Sequence, residues 1–180
     1  MASSAFHPDT KINYRSDDAL DFIVSLSDLV AQYQAVDKPI IVYSMARAFD
    51  PITKRSVTQQ AQAVDIELKY IVKERVTITF DNGGTVICTE DTNLNIVQAA
   101  ETKKIKVSEI TGFSYLDAKS LSIGDKILSN NKDGFMAVET IAKDTTSFEE
   151  YFGLSVPVFG NFYLEILGTD GTYTSIVAGN

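Results

Sequence analysis

The chain has 180 residues, 44% of them hydrophobic, and a formal net charge of −8 at pH 7. This acidic balance argues against a general nucleic-acid-binding function, which normally requires a basic face. The single histidine and the single cysteine, Cys88, allow neither an internal disulfide nor a structural zinc site, because such a site takes about four Cys or His ligands.

The first predicted element is a short helix. Apolar side chains recur at helical spacing over residues 20–35. The pattern predicts a helix near residues 27–34, with Ser25 or Ser27 as its N-cap. Pro39 then ends that segment, and an extended run follows over residues 40–43.

A β-hairpin is predicted next. Residues 66–71 and 76–80 alternate apolar and polar side chains, as half-buried strands do. The turn sequence DNGG, residues 81–84, separates the second run from another strand at residues 85–89. Strand, Asn-Gly turn and strand in this order are typical of a hairpin.

The rest of the chain also favours strands. Residues 93–106 are polar and weakly patterned, residues 115–121 predict one helical turn, and residues 129–134 predict a loop. Further strands are predicted at residues 107–110, 126–128, 136–141, 151–156, 162–167 and 172–177. Short strands at this spacing indicate an all-β fold with one or two short helices. No linker divides the chain, whose length suits one domain.

The sequence also bears on location. It contains no run of about 20 apolar residues, the length that crosses a bilayer. Residues 1–4 lack the basic and apolar regions of a signal peptide. We therefore expect a cytoplasmic protein that has no membrane partner, no nucleic-acid partner and no cofactor, although counting residues leaves a carboxylate cation site open.

Four segments resemble the sequence blocks of inteins, in the same order. The chain reads AFHPDTKI at residues 5–12 with VSLSDLV at 24–30, VTITFDNGGTVICTEDTNL at 76–94, AKSLSIGDKI at 118–127, and YFGLSV and GNFYL at 151–156 and 160–164 before Asn180. The resemblance implies the horseshoe-like Hint fold. It further implies a single mini-intein domain over residues 5–180, without an endonuclease insertion, preceded by a residual N-extein or added residues at 1–4.

The resemblance implies protein splicing, a single-turnover autocatalytic reaction. The family's first nucleophile attacks the carbonyl of the preceding residue, here Ser4, and the downstream extein then takes over the acyl group. The terminal Asn, here Asn180, finally cyclises and frees the joined exteins. Ala5 stands where the family has Cys or Ser and has no nucleophilic atom, so the element is expected to be blocked at this step. Thr89 matches the Thr of the family's T-x-x-H motif and is expected to supply oxyanion donors.

Four positions depart from the family's pattern. Thr92 replaces the His of T-x-x-H, and Gly153 replaces an Asp in the fourth block. Gly160 replaces the His of the HNF motif, and Gly179 replaces the His that precedes the terminal Asn in the family. An element with its nucleophile restored at position 5 would therefore be either degenerate and slow, or dependent on strain and oxyanion donors instead of imidazoles.

Other polar residues have two interpretations each. His7 is either an auxiliary catalytic imidazole or a surface or packing residue. Asp91 is either an acid or base or a solvated carboxylate at the end of a hairpin. Cys88 is expected to point to the core or to an adjoining face.

Two hypotheses compete with active splicing. One is a β-rich binding or viral structural domain, and the other is a catalytically dead Hint-like interaction module. The splicing hypothesis implies flanking extein polypeptides as partners. A complementary intein fragment is a further expected partner if the natural protein is split near residues 34–38 or 129–134. The source is expected to be microbial or phage-encoded.

Overall fold

The computed structural model describes residues 4–16, 20–36, 40–50, 55–63, 65–96, 114–129, 131, 134–156 and 160–179. Within these ranges lie twelve strands, one α-helix and one 3-10 turn. The elements are β1 (Lys11–Arg15), β2 (Asp21–Ser25), α1 (Leu26–Val36), β3 (Ile40–Asp50), β4 (Arg55–Ala63), β5 (Asp65–Phe80), β6 (Thr85–Cys88), β7 (Asn93–Ile96), β8 (Ser114–Asp117), the 3-10 turn (Ala118–Ser120), β9 (Lys126–Leu128), β10 (Phe135–Ser155), β11 (Asn161–Leu167) and β12 (Tyr173–Gly179).

The strands form one antiparallel arrangement. Their order is β4-β3-β1-β11-β12-β7-β9-β10-β5-β6, with β2 paired to β1 and β8 paired to β7. Strands from the two ends of the sequence are therefore neighbours: β1 pairs with β11, and β12 pairs with β7. The expected all-β architecture with one or two short helices is confirmed.

The predicted helix is confirmed, and Ser25 is its cap. The Ser25 Oγ accepts a hydrogen bond from the Asp28 N–H at 3.2 Å, the geometry of an N-cap. Leu26, Leu29 and Val30 are buried at the i, i+3 and i+4 positions. The helical spacing over residues 21–25 is misleading, because these residues pair with β1 along their whole length as β2.

Two pairs of predicted strands merge into long single strands. The runs at 66–71 and 76–80 are both part of β5, and those at 136–141 and 151–156 are both part of β10. These two strands pair with each other from Val138 opposite Phe80 to Ser155 opposite Asp65. The predicted hairpin between β5 and β6 is confirmed, and its turn contains Gly83 at a φ of 82°.

Other predictions differ from the structure or lie outside it. The helical turn predicted at 115–121 is wrong in its first half, which is strand β8 paired to β7. The strand β7 was not indicated by its weakly patterned sequence. The predicted strand at 107–110, Pro39 and parts of both proposed split regions lie outside the described residues.

The core includes the N-terminal segment. Phe6 is fully buried, and its ring packs edge-on against Phe162 with ring centroids 5.9 Å apart. The other large side chains with no exposed surface include Tyr151, Phe80, Ile12, Leu26, Leu29, Ile78, Leu94 and Ile127. In the described part of the chain, no helix is long and apolar enough to cross a membrane.

A buried carboxyl on β11, hydrogen-bonded to a serine on β12, gives the stability a pH dependence. Ser175 Oγ donates to Glu165 Oε1 at 2.7 Å, and Glu165 is 8% exposed. Burial raises the pKa of the Glu165 carboxyl above its ordinary value of 4.5, and the Ser175 hydrogen bond opposes this rise. Because the folded state then binds the proton more tightly than the unfolded state, the stabilisation is present at low pH and lost as the pH rises through the folded pKa.

We therefore expect Glu165→Gln to raise the free energy of unfolding at pH 7, and the gain to vanish towards pH 4. Urea unfolding at both pH values measures this. Glu139→Gln is the matched control, since Glu139 is exposed on β10. A glutamine variant that is less stable than the parent at pH 7 would contradict the expectation.

Candidate functional site

The segment that carries Ala5 is held between β6 and β10. The backbones of Phe6 and Phe152 exchange two hydrogen bonds of 2.8 and 3.0 Å, and the His7 N–H donates to the Ile87 carbonyl at 2.9 Å. Ser4 and Ala5 are 0% and 1% exposed. The Ser4–Ala5 peptide is therefore fixed in the interior of the fold.

The Thr92 hydroxyl contacts both backbone polar groups of Ala5. Thr92 Oγ1 accepts from the Ala5 N–H at 3.1 Å and donates to the Ala5 carbonyl at 3.0 Å. It also lies 2.8 Å from Thr89 Oγ1. A hydroxyl has one hydrogen and two lone pairs. Since that hydrogen goes to Ala5, the Thr89 hydroxyl donates to Thr92, and the two form a chain that ends at the nitrogen of the Ser4–Ala5 bond.

Thr89 contacts residue 5 through its backbone, at the carbonyl of that residue. Its N–H donates to the Ala5 carbonyl at 3.0 Å. This is the carbonyl of residue 5 itself and not that of Ser4, which the expected acyl shift would attack. Through its described contacts, Thr89 reaches the nitrogen of the Ser4–Ala5 bond by way of Thr92.

The third block supports the loop that carries these two threonines. The loop closes on itself, because the Thr92 N–H donates to the Thr89 carbonyl at 3.2 Å. The Ala118 N–H donates to the Thr92 carbonyl at 2.9 Å, and the Lys119 N–H donates to the Glu90 carbonyl at 3.0 Å. Two segments that are far apart in sequence thus fix the position of one hydroxyl.

Cys88 belongs to the core beside this loop. It is fully buried and lies opposite Phe6 in the strand pairing. Burial raises the pKa of the Cys88 thiol to about 12. The thiol is therefore protonated at neutral pH and is a poor nucleophile.

His7 and Asp91 are engaged with other partners. The His7 Nδ1 accepts from the Asp9 N–H at 3.1 Å, and its ring packs edge-on to Tyr151 with centroids 5.6 Å apart. Asp91 is 68% exposed and pairs with Lys119, with Nζ 2.7 Å from Oδ1, which raises the pKa of the lysine. The structure does not bring either side chain to the Ser4–Ala5 peptide through these contacts.

The end of β12 lies beside the same region. The Asn93 N–H donates to Ser4 Oγ at 2.9 Å. A Cβ built on Gly179 would lie 3.3 Å from the Cβ of Asn93. Asn93, the first residue of β7, therefore lies next to both Ser4 and the end of β12. Asn180 follows Gly179 directly but lies outside the described residues.

The two glycines that the intein resemblance aligns with histidines have different surroundings. Gly179 is buried, and a Cβ there would lie 2.5 Å from Tyr115 Cε1, closer than contact allows. Gly160 has a φ of 68°, in the left-handed region that favours glycine, and its N–H donates to the Val156 carbonyl at 2.8 Å. Tyr115 Oη donates to the Gly160 carbonyl at 3.4 Å.

The sequence did not indicate Phe152, Asn93 or Tyr115 as parts of this region. Phe152 and Asn93 lie inside the intein-like blocks, but they act through backbone groups, which carry no residue-type signal. Tyr115 precedes the third block and meets Gly179 across β7. Among the described residues, no group of three or more His, Cys, Asp or Glu side chains could hold a metal ion.

Comparison with solved structures finds similar folds over nearly the whole chain. The TvoVMA intein aligns with a TM-score of 0.68 at 18% identity, over 97% of this chain and 96% of that one. The bacterial intein-like domain from Clostridium thermocellum aligns with a TM-score of 0.63 at 15% identity, over 99% and 100%. A DnaB intein from Synechocystis sp. PCC 6803 gives 0.57 at 16%, over 97% and 99%. No protein-family model and no curated protein sequence matches the chain.

Proposed function

We propose, from the premise that this chain has the Hint fold of the inteins, that it is a protein-splicing element blocked at its first nucleophile. The observation that carries the proposal is the Thr92 hydroxyl, which contacts the buried nitrogen of the Ser4–Ala5 bond at 3.1 Å. The partners of such an element are the extein polypeptides joined to its two ends.

The first step requires Ser or Cys at position 5. Its Oγ or Sγ attacks the Ser4 carbonyl carbon, a new ester or thioester bond forms, and the bond to the nitrogen of residue 5 breaks. The proton of the nucleophile must reach that nitrogen. Thr92 Oγ1 is within hydrogen-bond distance of it. When the Thr92 hydroxyl turns from the carbonyl of residue 5 to that nitrogen, it can donate its proton as the bond breaks. Thr92 then regains a proton from the Thr89 hydroxyl, and the proton of the nucleophile returns to this pair, where the family has an imidazole.

The buried position of the peptide supports the same step. Backbone pairing on both sides of Phe6 holds residue 5 in one geometry. Intramolecular attack in a fixed geometry can lower a barrier by about 7–11 kcal/mol relative to the same reaction between free groups. Ala5 has no atom that can attack, and this accounts for the proposed block.

The later steps of the proposed reaction take place after β12. The side-chain nucleophile of the first downstream extein residue attacks the ester or thioester carbon, and the bond from that carbon to the side chain of residue 5 breaks. The Asn180 Nδ2 then attacks the Asn180 carbonyl carbon, the bond to the downstream extein breaks, and the proton passes to the released amine. The contacts of Asn93 with both Ser4 and Gly179 support an arrangement in which the two reacting ends are close.

The test places the chain between two reporter proteins, with Ala5→Cys or Ala5→Ser and with Cys, Ser or Thr after Asn180. We expect ligated reporters and a free excised chain, detected by mass spectrometry. The parent with Ala5 is the control and should give no ligation. A folded Ala5→Cys precursor that forms no thioester, no cleavage product and no ligated product would contradict splicing and favour a binding or structural domain.

A further inference from the structure

Tyr115 on β8 joins the two glycines that stand at the family's histidine positions. Its ring lies where a Gly179 side chain would begin, with Cε1 and Cδ1 at 2.5 and 2.8 Å from the built Cβ. Its hydroxyl donates to the Gly160 carbonyl at 3.4 Å. Gly160 precedes Asn161, the register partner of Gly179. One side chain therefore contacts both strands at the end that leads into Asn180.

The backbone around Tyr115 is fixed on two sides. β8 pairs with β7 along all four of its residues, with Tyr115 opposite Asn95. Three residues further on, the Ala118 N–H donates to the Thr92 carbonyl. The short segment from Tyr115 to Ala118 thus contacts the end of β12 through its first residue and the Thr92 loop through its last.

A side chain at position 179 would collide with the Tyr115 ring in its present position. A Cβ at 2.5 Å from an aromatic carbon of a strand residue would require the ring to move. The glycine therefore does not leave an empty space where the family's imidazole would be. The space is filled by Tyr115.

We propose that Tyr115 is the positioning residue for cyclisation of Asn180, and that it takes the place of both missing histidines. Its ring restrains the Gly179 backbone, and its hydroxyl restrains the start of β11. This inference rests on the proposed splicing function.

The test measures cleavage after Asn180 in the parent with Ala5, fused to a downstream reporter. Product ending in a succinimide is identified by its mass, one water lighter than the hydrolysed form. Tyr115→Phe is expected to slow the cleavage roughly two- to fivefold, because it removes one weak hydrogen bond. Tyr115→Ala is expected to slow it about 100-fold, since displacing a reacting group by about 1 Å costs that much. Tyr173→Phe, on the exposed part of β12, is the control and should leave the rate unchanged.

A pair of substitutions, at positions 179 and 115, distinguishes a role of Tyr115 in positioning the backbone from a role in core packing alone. Gly179→His alone is expected to slow cleavage at least about 100-fold, because the imidazole and the Tyr115 ring need the same space. Combined with Tyr115→Ala, it should recover at least about tenfold of that loss, since the two positions are coupled. The recovered reaction should also acquire a pH dependence near about 6.5, the pKa of a free imidazole, that is not seen in Tyr115→Ala alone.

The outcomes distinguish the two proposals. A parent that neither cleaves after Asn180 nor forms a thioester when Ala5→Cys is introduced contradicts splicing itself. A parent that cleaves at the same rate with Tyr115→Ala, or a double variant no faster than Gly179→His alone, contradicts only the role of Tyr115. Thiol-induced cleavage at position 5 in Ala5→Cys versions of each variant reports that the fold is intact.

Discussion

Replacing Thr92 with valine in an Ala5→Cys precursor is expected to slow thioester formation at least about 100-fold. Valine keeps the volume and branching of threonine but has no hydroxyl. It therefore removes the contact with the nitrogen of residue 5 at 3.1 Å and that with its carbonyl at 3.0 Å. Loss of a single preorganised donor in comparable reactions costs about 100- to 1000-fold in rate.

The rate is measured as cleavage of the upstream reporter by an added thiol, under conditions in which attack on the thioester is fast. Thr92→Ser is the matched control, because it retains the hydroxyl and should remain within about tenfold of the precursor. Thr89→Val should have a smaller effect than Thr92→Val, since Thr89 reaches the scissile nitrogen only through Thr92. Equal rates for the valine and serine variants would exclude the hydroxyl relay.

Replacing Phe6 with alanine is expected to lower the free energy of unfolding by about 3–5 kcal/mol, the usual cost of deleting a buried aromatic ring. Phe6 has no exposed surface and packs edge-on against Phe162. It is also the residue whose backbone pairs with both Cys88 and Phe152. The ring therefore anchors the segment that presents residue 5, and its loss should loosen that segment as well as the core.

Urea unfolding followed by circular dichroism measures the change. Phe148→Ala on β10 is the matched control, because Phe148 is 75% exposed and its removal should cost less than about 0.5 kcal/mol. If Phe6→Ala were as stable as the control, the N-terminal segment would not be part of the core. Loss of thioester formation in an Ala5→Cys version of Phe6→Ala, at a urea concentration where it remains folded, would show that the ring also holds the reacting geometry.

The elements that were predicted well are those whose signals are local. The turn of the β5–β6 hairpin requires a positive φ, and the Asn-Gly sequence supplies Gly83 at that position. The helix α1 combines a Ser25 cap with apolar residues at helical spacing. Both signals lie within a few residues of the structure that they specify, so they can be recognised without a partner strand.

The elements that were missed owe their conformation to distant strands. The middle of β5 and β10 is charged and has no apolar alternation, yet it is extended because the two strands pair there, with Arg75 Nε 2.8 Å from Asp144 Oδ1 across the ladder. Residues 21–25 have helical spacing but form a strand, because pairing with β1 satisfies their backbone groups. Pairing of this kind depends on residues far away in sequence.

By itself, the sequence determined the order of the intein-like blocks, the all-β class and the absence of a nucleophile at Ala5. It also identified Thr92 and Gly179 as departures from the family's pattern. Only the tertiary structure decided which groups lie against these positions. It turns His7 towards Tyr151 and Asp91 towards Lys119, and it brings the Thr92 hydroxyl to Ala5 and the Tyr115 ring to Gly179. The physical reason is that these contacts join segments far apart in the sequence, and only folding brings such segments together.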